Sequence, residues 1–217
     1  MRIVNADMNA YYAQRASTYE QTYARPEYLD DLETLENNLC EALDGHNVLE
    51  LACGTGYWTE QYAPYAASVM ATDINPDMLA IAQRKDYSEA DVQFALADAF
   101  DLKFKSKFTS CFAGFLWSHI PRQNQSKLLD IMREKVGKDG LLVMMDHTYV
   151  EDINTPIART DQEGNTYQIR TLPNGERFEV LKNFPTDSAL KKKLTSVMKE
   201  IRVLRLPHFW MLTARFK

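Results

Sequence analysis

The sequence predicts an α/β fold built on a doubly wound, mostly parallel sheet. Between residues 46 and 146, short β-rich runs alternate with amphipathic helical stretches, the pattern of parallel strands covered by helices on both faces. One strand ends in a glycine turn that opens a helix, and acidic residues follow the next two strands. Helical sequence before this block and a hairpin after it predict an N-terminal helical cap and an inserted hairpin.

The central block is predicted to contain strands joined by capped helices. Asn75 is a capping side chain followed by Pro76 in the first helical position, so a helix begins there. A second helix covers residues 123–136, with Leu128 and Leu129 on one apolar stripe, and it stops before a Gly-Lys-Asp-Gly turn. The predicted strands are 47–51, 68–73, 92–96, 109–115 and 141–146.

The flanking regions do not continue the alternation of strands and helices seen in the central block, but no repeat or low-complexity linker separates them from it. A Pro-Asn-Gly turn between two β-rich runs predicts the hairpin. The predicted flanking elements are helices at 6–23, 27–44 and 187–200, a hairpin at 165–183, and strands at 201–206 and 209–216. We therefore expect one domain over residues 1–217. Its parts are the helical cap at 1–45, the core at 46–146, the inserted hairpin segment at 147–185, and a C-terminal helix with strands at 186–217.

The composition is that of an ordinary globular domain, with 45% apolar and 25% charged residues. The net charge of −5 argues against a nucleic-acid binder, because affinity for phosphate backbones comes from clustered Lys and Arg. No apolar run is long enough to cross a bilayer, and no export signal is evident. Three cysteines without metal-like spacing favour a reducing cytoplasm and predict no metal site.

The strongest motif is Val48–Gly56, a buried strand that runs into a glycine turn and a helix start. Glycines let a backbone approach a ligand closely, and a helix start offers unpaired N–H groups to an anion. A dinucleotide turn would need a third glycine where Thr59 stands. Glu50 also places a carboxylate beside the turn, which would repel a pyrophosphate and attract an amino group. The turn therefore favours a ligand with a cationic amino-acid end.

Acidic residues follow the next two predicted strands. Asp73 can accept hydrogen bonds from both hydroxyls of a ribose. Asp98 can accept one from an exocyclic adenine amine, while the N–H group of the next residue, Ala99, meets a ring nitrogen. With Glu50, these residues are predicted to line one crevice at the carboxyl edge of the sheet.

The run Leu49–Gly56, followed by Asp73 and then by the sequence Ala-Asp-Ala at 97–99, resembles the class I S-adenosylmethionine-dependent methyltransferases of the small-molecule type. The resemblance implies a Rossmann-like seven-stranded sheet with a terminal antiparallel strand, S-adenosylmethionine as the cofactor, and a small-molecule acceptor. It also implies that the two glycines lie against the methionine part, Asp73 against the ribose, and Phe115 beside the cofactor. The full set of predicted cofactor-binding residues is Arg15, Tyr19, Glu50, Ala52, Gly54, Gly56, Asp73, Ile74, Asp98, Ala99 and Phe115.

The N-terminal helix is a candidate lid. Tyr11, Arg15, Tyr19 and Tyr23 recur every four residues, which places them along one helical face. One hypothesis is that this face covers the cofactor, with Arg15 or a tyrosine near the methionine carboxylate. The alternative is a tyrosine stripe packed on the domain with Arg15 solvated.

Three residues are candidates for the acceptor side of the reaction: Tyr11 on this helix, and Trp117 and His119 after the fourth strand. Trp117 could stack on an aromatic or cationic acceptor. His119 could act as a general base for a hydroxyl or amine, or it could be a structural hydrogen-bonding residue. An acceptor that is already nucleophilic needs no base.

We therefore predict a cytoplasmic methyltransferase, monomeric or homodimeric, that acts on a small molecule and has no nucleic-acid or membrane partner. Two alternatives stay open. One is a noncatalytic protein that binds S-adenosylmethionine and acts through partners. The other is a nicotinamide-dependent oxidoreductase, which Thr59 and Glu50 disfavour.

Overall fold

The fold combines a seven-stranded mixed sheet with a smaller four-stranded sheet. A computed structural model describes residues 4–5, 7–104 and 108–217. The strands are β1 (Val4–Asn5), β2 (Asn47–Leu51), β3 (Ser68–Asp73), β4 (Val92–Leu96), β5 (Ser110–Gly114), β6 (Leu141–His147), β7 (Ile157–Thr160), β8 (Thr166–Thr171), β9 (Arg177–Leu181), β10 (Met198–Arg205) and β11 (Phe209–Phe216). The α-helices are α1 (Met8–Arg15), α2 (Leu29–Leu43), α3 (Tyr57–Tyr62), α4 (Pro76–Ala82), α5 (Gln125–Val136) and α6 (Asp187–Leu194).

The large sheet has the strand order β10-β11-β6-β5-β2-β3-β4. Strands β2 to β6 pair in parallel, whereas β11 pairs antiparallel with β6 and β10. The chain moves from β2 outward in one direction and then returns to β5 on the other side. The gap between the carboxyl ends of β2 and β5 is therefore the topological switch point, where open α/β sheets form their ligand crevice. The predicted doubly wound sheet with a terminal antiparallel strand is confirmed.

Alternating residues of the central strands face two separate apolar layers. Val48 belongs to a buried cluster with the α2 residues Leu35 and Leu39, whereas Leu49 belongs to a second cluster that includes Leu128 of α5. This alternation follows from the two-residue period of a strand. Helices α2, α3 and α4 cover one face and α5 and α6 cover the other, so both faces of the sheet are protected from water.

The N-terminal helix predicted over residues 6–23 is shorter in the structure. Residue 6 lies outside the described residues, and α1 begins after the cap Asp7, whose side chain accepts a hydrogen bond from the Ala10 N–H at 3.0 Å. After Arg15 the chain continues as a 3-10 helix over Ala16–Thr22. The Thr18 hydroxyl donates to the Arg15 carbonyl at 3.3 Å, a side-chain bond of the kind that competes with regular helix hydrogen bonding.

The predicted hairpin is part of a second sheet with the order β1-β9-β8-β7. Its turn lies between β8 and β9 as predicted, but β1 adds in parallel to β9, and β7 adds antiparallel to β8. The hairpin thus gains one strand on each side, β1 beside β9 and β7 beside β8. Local sequence patterns do not reveal this pairing. Helix α1 packs on this sheet through Tyr11, which shares a buried cluster with Leu172, Phe178 and Val180.

The helix predicted over residues 187–200 is also wrong at its C-terminal end. Helix α6 ends at Leu194, and β10 begins at Met198, where it pairs with Phe216 of β11. The Thr195 hydroxyl donates to the Lys191 carbonyl at 2.6 Å at this end. Pairing with the next strand of the chain, β11, therefore overrides the local helix preference of this segment.

None of the described helices has the length and apolarity needed to cross a bilayer. In the same described ranges, no group of three or more His, Cys, Asp or Glu side chains is arranged to hold a metal ion.

Candidate active site

The glycine turn after β2 leaves an open space beside its backbone. Ala52, Gly54 and Gly56 have φ angles of 57°, 58° and 75°, in the left-handed region. A Cβ built on Gly54 would meet no atom within 4 Å. A Cβ on Gly56 would lie 2.5 Å from the Tyr87 hydroxyl and 3.0 Å from the Ala82 Cβ. Gly56 therefore permits α3 to pack against α4, whereas Gly54 faces space that a ligand can fill.

Asp73, at the end of β3, holds this turn in place. One carboxylate oxygen accepts the Gly54 N–H at 2.8 Å, and the other accepts the Asn75 N–H at 2.8 Å. Asn75 in turn caps α4, because its side chain accepts hydrogen bonds from the N–H groups of Asp77 and Met78. Burial raises the pKa of Asp73, although these backbone hydrogen bonds oppose the effect. A carboxylate oxygen has further lone pairs, so Asp73 can still accept hydrogen bonds from a ligand.

Glu50 lies under the turn with its side chain buried. Its Oε2 accepts hydrogen bonds from the hydroxyls of Thr59 at 2.7 Å and Tyr62 at 2.8 Å. Burial raises the pKa of Glu50 to about 7. Thr59, which stands where a dinucleotide turn has its last glycine, therefore has a role of its own as a partner of Glu50. Tyr62 extends the same network and is not among the site residues predicted from the sequence.

A pocket of about 140 Å³ opens at the carboxyl ends of β2, β3 and β5, and we call it the sheet-edge pocket. Phe115 follows β5 with a φ of 59°, so a non-glycine residue in left-handed conformation stands on each side of the switch point, at Ala52 and at Phe115. Such backbone strain concentrates at functional sites. The pocket is lined by Met8, Asn9, Tyr12, Tyr19, Ala52, Gly54, Asp73, Ile74, Asn75, Met78, Gly114, Phe115, Leu116 and His119.

Most of the predicted cofactor-binding residues meet at this pocket. Six line it: Tyr19, Ala52, Gly54, Asp73, Ile74 and Phe115. Glu50 borders a small cavity of about 30 Å³ directly at the turn, which Gly54 and Tyr19 also line. Asp98 and Ala99 do not line the pocket. Asp98 is exposed and accepts the Phe100 N–H at 2.8 Å, although the Ala97 N–H bonds to the Asp73 carbonyl and keeps this segment beside the pocket.

A second cavity of about 340 Å³ adjoins the sheet-edge pocket, and we call it the cationic cavity. Tyr12, Tyr19, Phe115 and His119 line both spaces. Arg15 lines the cationic cavity rather than the sheet-edge pocket. Of the residues predicted on the lid face, Tyr19 therefore reaches both spaces, whereas Arg15 reaches only the cationic cavity.

His119 forms a hydrogen-bonded pair with Tyr12 at the junction of the two spaces. Its Nδ1 lies 2.6 Å from the Leu181 carbonyl oxygen, which can only accept, so Nδ1 carries the proton. Its Nε2, 2.8 Å from the Tyr12 hydroxyl, then accepts from that hydroxyl. Burial and the neighbouring Lys182 charge hold the pKa of His119 well below its usual value, and burial raises the pKa of Tyr12. The resting pair is neutral.

Trp117 and Tyr11, both predicted on the acceptor side, have different surroundings. The Trp117 side chain is 2% exposed and packs in the apolar layer that contains Leu128 and Leu190, so it does not reach either space. Tyr11 is buried against Phe178, with ring centroids 5.6 Å apart, and lines the cationic cavity but not the sheet-edge pocket. Its neighbour Tyr12 reaches that pocket instead. Tyr12 and Tyr19 are seven residues apart, a spacing that could have indicated this face.

A buried ion pair holds the segment that carries His119 at the junction of the two spaces. Lys182 Nζ lies 2.7 Å from Asp146 Oδ1, and the two side chains are 4% and 0% exposed. The other Asp146 oxygen accepts the Ser118 N–H at 2.9 Å, which anchors the segment that carries His119. Burial alone would raise the pKa of Asp146, but the Lys182 ammonium holds it well below its usual range.

A doubly wound sheet with a glycine turn and a pocket-lining carboxylate at its switch point is typical of nucleotide- and nucleoside-binding α/β proteins. Residues 48–140 match the family model described as a methyltransferase domain. This match, over less than half of the chain, agrees with the resemblance of the motif to the class I S-adenosylmethionine-dependent methyltransferases.

Similar proteins include both sequence relatives and solved structures. The structure of DhpI with S-adenosylhomocysteine has 27% sequence identity and a TM-score of 0.79, covering 96% of this chain and 94% of that one. A malonyl-[acyl-carrier protein] O-methyltransferase of Bacillus cereus is 27% identical over 60% of this chain and 48% of its own length. A demethylmenaquinone methyltransferase of Clavibacter sepedonicus is 32% identical over 41% of this chain and 38% of its own length. The chain thus aligns with about half or less of these two curated relatives.

Proposed function

We propose that this chain transfers the methyl group of S-adenosylmethionine to a small-molecule acceptor. The observation that carries the proposal is the open space beside Gly54, flanked by the buried carboxylates of Glu50 and Asp73. A ligand with a cationic amino-acid end and a ribose matches that arrangement. DhpI, which is similar over nearly its whole length, has been solved with S-adenosylmethionine and with S-adenosylhomocysteine.

The residues of the site are proposed to have two roles: some bind the cofactor, and others enclose the space in which the methyl group is transferred. Glu50 and the Gly54 backbone would hold the amino-acid end, Asp73 the ribose, and Asp98 with Ala99 the adenine at the sheet edge. When bound, S-adenosylmethionine supplies an electrophilic methyl group on its sulfonium. Phe115 and Tyr19 would wall the space around the transfer and exclude water, so orientation supplies much of the acceleration.

Tyr12 and His119 are proposed to position the acceptor. Both pKa shifts oppose charge separation within the pair, so it is a weak base for removing a proton from an alcohol. The arrangement favours an acceptor atom that is nucleophilic without deprotonation. The neutral Tyr12–His119 pair would then hold the acceptor by hydrogen bonds and would not remove its proton.

The test begins with calorimetry. S-adenosylhomocysteine and S-adenosylmethionine should bind, and NAD should not. Turnover of a labelled methyl group on a metabolite library then separates an enzyme from a noncatalytic binder. Binding of NAD with no binding of either adenosyl compound would contradict the proposal.

The two turn glycines provide a matched pair of variants. Gly54→Ala places a methyl group in the open space, so it should weaken S-adenosylhomocysteine binding at least tenfold while adding only the strain of a positive φ, about 1–2 kcal/mol. Gly56→Ala forces Ala82 and Tyr87 to move, so it should mainly lower the melting temperature. Calorimetry and thermal unfolding of both variants check this. Equal effects on affinity would contradict the assigned roles.

Glu50 makes cofactor binding depend on pH. Its pKa of about 7 means that about half of the free protein carries the neutral acid at pH 7. A bound ammonium group would lower that pKa, so binding should release about half a proton at pH 7, and affinity should rise from pH 6 to 8. Calorimetry in buffers of different ionisation enthalpy measures the release. Glu50→Gln should abolish it, and an unchanged release in that variant would exclude Glu50 as the source.

We further propose that residues 1–217 act as one domain in the cytoplasm. Three free thiols, those of Cys40, Cys53 and Cys111, support a reducing compartment. The net charge of −5 supports a small molecule rather than a nucleic acid as the acceptor.

A further inference from the structure

The cationic cavity is a separate, acceptor-sized space beside the sheet-edge pocket. Its volume of about 340 Å³ lies within the range of small-molecule sites. It meets the sheet-edge pocket at Tyr12, Tyr19, Phe115 and His119, so a molecule held in it would face the reacting end of a ligand held at the sheet edge.

The charged side chains that line this cavity are cationic. Arg15, Arg25, Arg170 and Lys182 line it, and no Asp or Glu is among the described residues that line it. Arg25 is neutralised by Glu27 outside the cavity at 2.6 Å, and Lys182 is neutralised by the buried ion pair described above. In the part of the chain that the structure describes, neither Arg15 nor Arg170 forms an ion pair with a carboxylate. A protein with a net charge of −5 therefore carries two uncompensated guanidinium groups in one cavity.

These two guanidinium groups converge on one aromatic ring. The Arg15 and Arg170 guanidinium carbons lie 5.8 Å and 5.7 Å from the centroid of the Tyr11 ring. Their hydrogen bonds go to neutral acceptors. Arg15 donates to the Tyr11 hydroxyl at 3.2 Å and the Thr22 hydroxyl at 3.3 Å. Arg170 donates to the Gln168 amide oxygen at 2.9 Å and the Tyr12 hydroxyl at 3.5 Å. Each guanidinium has N–H donors left over, in a planar fork that matches carboxylate and phosphoryl oxygens.

We propose that the methyl acceptor is a small anion, with a carboxylate or phosphoryl group held between Arg15 and Arg170. This assignment rests on the proposed methyl transfer, because it takes the cationic cavity as the acceptor side of the site. The anion would offset the positive charge that the two guanidinium groups bring to the cavity. The junction at Tyr12 and His119 then receives the part of the acceptor that is methylated. Cationic acceptors such as amines are excluded by the same charges.

The test measures anion binding to protein saturated with S-adenosylhomocysteine. Calorimetric probes are methylphosphonate and acetate, with ethanolamine and propanediol as the cationic and neutral comparisons. We expect one or both anions to bind and the comparison compounds not to bind, and the two anion arms distinguish a phosphoryl from a carboxylate ligand. Arg170→Gln should weaken anion binding about 10- to 100-fold. Arg15→Gln should act in the same direction, which keeps the test valid if one variant fails to fold.

A matched control is Lys192→Gln, which removes an exposed cation of α6 that lies outside the cavity. It should leave both anion binding and S-adenosylhomocysteine affinity unchanged within about twofold. Anion binding that is absent, or equally weakened by Lys192→Gln, would overturn the assignment of the acceptor. Failure of S-adenosylhomocysteine to bind would instead overturn the proposed function, and anion binding to the free protein would still report on the cavity.

Discussion

Replacement of Lys182 by alanine is expected to lower the free energy of unfolding by about 3–5 kcal/mol, the largest stability effect predicted for this protein. Lys182 and Asp146 are almost completely buried and lie 2.7 Å apart. Removal of the ammonium leaves the Asp146 carboxylate buried without its counter-ion. Its hydrogen bonds from the N–H groups of Ser118 and His147 remain, but they do not neutralise the charge. Urea unfolding of the wild type and the variant measures the difference.

An exposed ion pair of the same protein provides the control. Lys199 pairs with Asp139, and these side chains are 40% and 56% exposed. Lys199→Ala should therefore change the free energy of unfolding by at most about 1 kcal/mol. If the two alanine variants lose similar stability, burial of the Lys182 pair is not the source of its effect.

The same pair predicts an acid limb of the stability profile. Because the folded-state pKa of Asp146 is depressed, its contribution to stability is fully present above the unfolded-state pKa of about 3.9 and is lost as the pH falls below it. Asp146→Asn in the Lys182→Met background removes both charges, so the loss of stability between pH 4 and pH 2 should be smaller in that double variant.

Asp73→Ala is expected to weaken S-adenosylhomocysteine binding by about 1.5–3 kcal/mol, or about 10- to 150-fold. Two effects combine. The proposed charge-assisted hydrogen bonds to the ribose are lost, and so are the bonds that Asp73 accepts from the N–H groups of Gly54 and Asn75. Calorimetry checks the affinity, and Asp77→Ala, which removes an exposed carboxylate four residues further along the chain, is the control.

A ligand that lacks the ribose hydroxyls separates these two effects. For the wild type, the 2′,3′-dideoxy analogue of S-adenosylhomocysteine should bind more weakly than the parent compound. For Asp73→Ala, the two compounds should bind with similar affinity, because the partner of the hydroxyls is gone. If the analogue loses the same affinity with both proteins, Asp73 acts only as a support for the glycine turn.

Much of the cofactor side of the site was predictable because it is local in sequence. The glycine turn depends on residues that adjoin one strand, and Asn75 caps α4 within three residues of itself. The carboxyl ends of parallel strands share one edge of a sheet, so Asp73 was correctly expected beside Gly54. The hydrophobic periods that define strands and helices are equally local.

The proposed acceptor side was predicted poorly because it is assembled from distant segments. Tyr12 and His119 are 107 residues apart, and Tyr12 and Arg170 are 158 residues apart. Trp117 and His119 are two residues apart, yet a 3-10 turn over Trp117–His119 sends the first into the apolar core and the second to the pocket. The local sequence does not show which of two nearby side chains will face a cavity that is completed by residues of another sheet.

The sequence by itself determined the class of fold, the resemblance to methyltransferases and the residues of the glycine turn at the switch point, because turns, caps and strand periods are set by neighbouring residues. Only the tertiary structure decided that Tyr12 meets His119, that Lys182 neutralises Asp146, and that two arginines share one cavity. Those contacts depend on how α1 and the small sheet dock beside the large one. Docking is governed by the shape and charge of whole surfaces, which a local pattern of residues does not contain.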